Sequence, residues 1–139
     1  MAFLDQTFYV LGDLVQHEHE PSIGYARKVI SLNFVAAQAI PLGTVVASTD
    51  AGVSYHLVVA ADLTATGARF AVVFGDRYSF RSTWNIVAAT ATPAVAFVRG
   101  GVILSDFLIK ANNTQLTAPQ IVTLRGLLEL QGVLVETAY

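Results

Sequence analysis

The chain has 139 residues, enough for one domain with a real core and too few for two comfortable ones. It contains no cysteine, which excludes disulfides, thiolate metal sites and cysteine nucleophiles. Charged residues make up only 13% against roughly 25% in an ordinary soluble domain, and the formal net charge of −2 leaves no basic footprint for nucleic acid.

The charges are unevenly placed. Asp5, Asp13, Glu18 and Glu20 precede residue 21 without a single Lys or Arg, so an acidic segment leads into a nearly neutral body. We divide the chain into an extended N-terminal arm over residues 1–24 and a β-rich domain over 25–139. The arm holds one compact apolar stretch, Thr7, Phe8, Tyr9, Val10, Leu11 and Gly12, with strand composition and no clean partner nearby. No basic region precedes an apolar run, so no signal peptide is expected.

From Tyr25 onward the pattern changes. "RKVISLNFV" predicts a strand with Ile30, Leu32 and Phe34 on one face. "IPLGTVVAS" predicts a turn at residues 41–43 feeding a short strand. "VSYHLVVAA" predicts another strand, followed by a polar connection through Asp62 to Gly67. "RFAVVFG" is an apolar run of the kind buried on both faces, ended at Gly75-Asp76. The alternating aromatics of "DRYSFRSTWN" favour extended chain, and "AATATPA" is a small-residue loop. In "TPAVAFVRGGVILS" two apolar runs flank Gly100-Gly101, which suits either a tight hairpin or a bulge bending one long strand.

One helix is predicted. Thr117 can cap it, Pro119 sits where its missing N–H is harmless, and Ile121, Leu124, Leu127 and Leu128 form one apolar stripe. Gly126 weakens this helix by about 1 kcal/mol relative to Ala, Gly132 stops it, and "VLVETAY" continues as a strand. The longest uncharged stretch, residues 29–49, is broken by Asn33, Gln38, Pro41 and Gly43, so no membrane span is expected.

Candidate chemistry is sparse. His17 and His19 alternate with Glu18 and Glu20, a spacing that some zinc and copper sites use. A stable site wants further fixed ligands, and only His56 or a carboxylate can supply them, so a solvated hinge between arm and body is the simpler reading and no metal is expected. His56, between Tyr55 and Leu57, reads as a core-edge residue. No G-x-S-x-G and no Gly-rich phosphate loop occurs. Asp50, Asp62 and Asp76 sit among turn-forming residues, which explains them first. Asn112-Asn113-Thr114 fits a glycosylation sequon but reads as a loop before the helix, and Trp84 and the tyrosines read as core or interface anchors. No catalytic residue, cofactor or enzymatic activity is expected.

"HEPSIGYARKVISL", "IPLGTVVAS", "PAVAFVRGGVILSDFLI" and a helix ending "LLELQGVLVETAY", in that order, resemble the lambda-type head decoration (capsid cement) proteins of tailed bacteriophages. The resemblance covers about residues 16–139; the Thr-Ala-Thr-Gly connection at 64–67 and the "DRYSFRSTWN" segment do not align. It implies an α+β, β-rich fold: a compact, small-barrel-like β domain with one C-terminal helix and an extended N-terminal arm. It further implies a homotrimer on the outer capsid surface of the virion, with the major capsid protein as partner and no membrane or nucleic-acid contact. Thr7 to Gly12 would then be the capsid-binding arm, ordered by pairing with the shell, and His17, Glu18, His19 and Glu20 its hinge. The alternatives from the residues are another virion structural protein, such as a tail or fibre-base adaptor, and a small trimeric β-rich enzyme, such as a nucleotide hydrolase.

Overall fold

The structure, a computed structural model, describes residues 15–18, 27–34, 38–41, 43–76, 83–86, 91–98, 102–105 and 116–136. Its largest element is a five-stranded antiparallel sheet. The strands β2 (Arg27–Leu32), β4 (Val45–Ser48), β5 (His56–Leu57), β6 (Arg69–Asp76) and β8 (Thr92–Phe97) lie in the order β2-β8-β6-β4-β5. Together with one C-terminal helix this makes a β-rich α+β fold.

The sheet is buried on both sides, and the sequence of β6 shows why. Phe70, Val72 and Phe74 point to one face while Ala71 and Val73 point to the other, and all five are buried. Strand β4 divides likewise, with Val45 and Ala47 opposite Val46. One face carries the phenylalanines against the helix residues Leu124 and Leu128 and against Val133 and Val135. The other carries the small side chains Ala71, Ala94 and Ala96, which leave room for Ile30, Leu32, Phe34, Ile40 and Tyr55. Ile40 belongs to β3 (Gln38–Pro41), which pairs antiparallel with β7 (Thr83–Ile86) in a separate two-stranded ribbon.

Two irregularities shape the sheet. Val73 faces Ala96 and Gly75 faces Val95, so Phe74 is an extra residue in β6 and the strand bulges there. Phe74 stacks on Phe97 with ring centroids 4.3 Å apart, and the Arg27 guanidinium lies 5.0 Å from the Phe74 centroid. At the far end, Leu32 forms an isolated parallel bridge with Tyr55: Tyr55 N–H donates to Ser31 C=O and Asn33 N–H donates to Tyr55 C=O, both at 2.9 Å.

A second, three-stranded sheet has the order β1-β9-β10, formed by β1 (Val15–Glu18), β9 (Val102–Ser105) and β10 (Val133–Glu136). β1 runs antiparallel to β9 and β10 parallel to it. The parallel pair needs a crossover, and the helix α1 (Ala118–Leu130) supplies it. Gln120 accepts the Thr117 N–H at 2.9 Å, Pro119 sits in the first turn, and Gly132 at φ 84° lets the chain leave the helix with its N–H on Glu129 C=O. Leu124 and Leu128 are fully buried, and Ile121 and Leu127 pack at the edge of the same core. Arg125 reaches across to donate to Val135 C=O at 2.9 Å.

Three expectations need correction. The strand expected across "VSYHLVVAA" is limited to His56 and Leu57 plus the bridge at Tyr55; the chain then turns into a 3-10 helix over Ala60–Leu63. The Asp62 carboxylate causes this change by accepting the Val59 N–H at 2.9 Å, which fixes the start of the turn. β8 and β9 belong to different sheets and do not pair with each other as a hairpin; Gly100 and Gly101 themselves lie outside the described residues. Finally, Thr92, Pro93 and Ala94 open β8 instead of closing a loop. Pro93 is tolerated because the pairing of β8 with β6 ends at Ala94, beside it.

Candidate functional site

Thr7 to Gly12, His19 and Glu20 lie outside the described residues, as do Tyr78, Phe80, Asp106 and Asn112 to Thr114. His17 and Glu18 are placed in β1, with His17 opposite Ile103 and Glu18 opposite Val102. The register slips between Val15 and His17, and Val15 packs against the core on the helix side of the large sheet. Backbone pairing therefore ties residues 15–18 to the body. In the order β1-β9-β10, β1 is an edge strand.

The structure brings together two residues that the sequence left apart. His56 Nε2 lies 2.9 and 3.0 Å from the two carboxylate oxygens of Asp62. Asp62 is 5% exposed, while the His56 side chain keeps 35% of its surface in solvent. The pair is held by local geometry: β5 presents His56, and the 3-10 turn brings Asp62 back beneath it. Asp62 serves two donors at once, the imidazole and the Val59 N–H, so its burial is compensated. Such a pair fixes the orientation of the imidazole. Among the described residues, no group of three or more His, Cys, Asp or Glu side chains gathers as metal ligands.

Asp50 does the turn chemistry expected of it. Its carboxylate accepts the Ser48 hydroxyl at 2.6 Å, the Ser54 N–H at 3.0 Å and the Ser54 hydroxyl at 2.7 Å. Those bonds, the one from Ser48 foremost, hold its carboxyl far below the usual carboxylate range. Ser48 in turn accepts the Gly52 N–H at 2.9 Å, while Ala51 at φ 63° and Gly52 at φ 88° carry the chain around.

Beside this turn the surface opens into a recess of about 390 Å³ lined by Lys28, Tyr55, Ala68, Arg69, Phe70, Val98 and Gln131. Its floor is fixed by the Gln131 side chain, which accepts the Phe70 N–H and donates to the carbonyls of Phe70 and Val98. Burial raises the Tyr55 hydroxyl above its ordinary pKa, and the nearby Arg69 charge works in the opposite direction. Sequence reasoning passed over this recess because its residues come from β2, the residue before β5, the start of β6, the residue after β8 and the turn after α1, and no local pattern connects them.

Among the described residues, no helix is long and apolar enough to cross a membrane. Comparison with protein families, with curated proteins and with solved structures finds no match to this chain.

Proposed function

We propose that the chain is a capsid decoration protein, binding the outer surface of a mature tailed-phage head as a homotrimer. The observation that carries this reading is the ordered run of four segments resembling that family, from "HEPSIGYARKVISL" to "LLELQGVLVETAY". Two features of the fold support it. First, among the described residues β1 is an edge strand, tied to the body by its pairing with β9 and directly following residues 1–14 in sequence. Second, Val29, Val53, Val122 and Leu130 are more than half exposed on a chain with few charges, leaving apolar area for neighbouring subunits to cover. The bridge between Leu32 and Tyr55, which links the outer strand β2 to the start of β5, supports a small-barrel-like closure of the large sheet.

The mechanism is thermodynamic. A ligand that binds only the mature lattice lowers the free energy of that state by mass action, and a three-fold bridge spreads the gain over neighbouring capsomers. Thr7 to Gly12 adds a strand to an exposed edge of the major capsid protein. Backbone hydrogen bonds supply affinity and alternate side chains, such as Phe8 and Val10, fill pockets. Co-sedimentation of the purified protein with undecorated mature heads tests the reading. Saturable binding, with three-fold density on the head by electron microscopy, is the expected result, and density confined to the tail would assign the chain to another virion part.

A further inference from the structure

We infer that the recess lined by Lys28, Tyr55 and Arg69 is an oxyanion site, built to take the carboxylate or phosphate group of a small ligand. Two cations face it, and neither Lys28 nor Arg69 makes an ion pair or hydrogen bond with a carboxylate among the described residues. Two like charges brought together raise the local positive potential and attract an anion. Tyr55 supplies the second, independent observation. It is only 4% exposed, yet its hydroxyl has no hydrogen-bond partner among the described residues. A buried hydroxyl left unpaired costs free energy that an acceptor oxygen in the recess recovers.

The surrounding geometry keeps the donors in place. Arg69 Nη1 and the Tyr55 hydroxyl lie 3.2 and 3.6 Å from the point a Cβ on Gly52 would occupy, so the bare glycine is what lets both approach. The Asp50 carboxylate on the neighbouring turn directs its hydrogen bonds to Ser48 and Ser54, so it does not occupy the donors of the recess, and the two cations outweigh its single charge. Gln131 likewise spends its amide on Phe70 and Val98, and Ala68 and Val98 leave an apolar wall beside the charges. A guanidinium fork, an ammonium and a phenol converging on one recess is a donor set for an oxyanion.

The test is a titration of the full isotope-labelled chain, followed by backbone amide chemical shifts. Sodium phosphate and sodium succinate are added separately, against sodium chloride at equal ionic strength. Saturable shifts at Lys28, Gly52, Tyr55 and Arg69 with either salt support the site, and whichever saturates at lower concentration identifies a phosphate or a carboxylate as the better ligand. Arg69→Gln, at an exposed position, should weaken binding roughly tenfold, and Tyr55→Phe, which keeps the ring in the core, by roughly fivefold. The inference is overturned if neither salt moves these amides beyond the chloride control, or if Arg69→Gln titrates like the parent.

Discussion

The Gln131 side chain pairs with the backbone of Phe70 as a strand would, accepting its N–H at 2.8 Å and donating to its C=O at 2.7 Å. The reason lies in the ladder. Pairing of β6 with β8 begins at Val72 opposite Phe97, so Phe70 lies beyond the end of its neighbour. The amide continues the missing strand and also takes the Val98 carbonyl at 3.1 Å.

Replacing that amide leaves the donor and acceptor of a buried residue unpaired. Gln131→Ala should cost about 2 kcal/mol, read as a shift of the urea midpoint at constant slope. Gln131→Glu keeps an acceptor for the Phe70 N–H but loses both donated bonds, so it should recover little of the loss. An unchanged midpoint in both variants would show that water serves Phe70 equally well.

The Asp62 carboxylate makes a similar case from the interior. Asp62→Ala orphans the Val59 N–H and the His56 ring together and should cost about 2–3 kcal/mol in chemical denaturation. Asp62→Asn retains an oxygen for Val59 and should cost about half as much. Equal losses would mean that the charge, not the turn bond, is what matters.

Acid should expose the contribution of Asp50. Its folded carboxyl is held below the usual value of 3.8, so the unfolded chain binds the proton more readily. Stability from this group is complete above that value and is lost as pH falls through it toward the lower folded pKa. Midpoints measured from about pH 6 to about pH 2 should therefore fall less steeply for Asp50→Asn than for the parent. Identical slopes would remove Asp50 from the acid response.

Two glycines should answer alanine in opposite ways. Nothing lies within 4 Å of a Cβ on Gly126, which sits on the exposed face of α1, so Gly126→Ala should stabilise by about 1 kcal/mol. Gly52 has φ 88° and a Cβ there would meet Arg69 Nη1 at 3.2 Å, so Gly52→Ala should destabilise by about 1–2 kcal/mol. Thermal midpoints of the pair provide the comparison. A destabilising Gly126→Ala would point to a neighbour seated on that helix face.

The arm carries the functional prediction. A chain lacking residues 1–14 should fold, keep β1, and bind mature heads at least tenfold more weakly. Val10→Pro should mimic much of that loss by deleting one donor. Hydrogen exchange should find residues 7–12 unprotected in the free protein and protected on heads. Undiminished decoration by the truncated chain would place the affinity in the body.

What could be read from the sequence was whatever is decided within a few residues. Thr117, Pro119 and Gly132 bracket α1 because capping is local chemistry, and the run "RFAVVFG" announces a strand buried on both faces. Partner choice was not legible. Gly100-Gly101 suits a hairpin or a bulged strand, but β8 and β9 find partners far away in sequence and belong to two sheets. Val59 is strand-like in composition, and it is the buried Asp62 that caps a turn there. His56 with Asp62, and Gln131 with Phe70, depend on contacts that no periodicity encodes.

The position of β9 between β1 and β10 also sets an order of events during synthesis. β1 leaves the ribosome early, yet among the described residues its ladder is with a strand made after the whole five-stranded sheet. Until then it has no backbone partner among the described residues, and closing so long a loop is slow. β9 itself receives its second neighbour only when α1 has been made and β10 follows. The small sheet should therefore be the last part of the fold to assemble, and its edge strand β1 the first to let go.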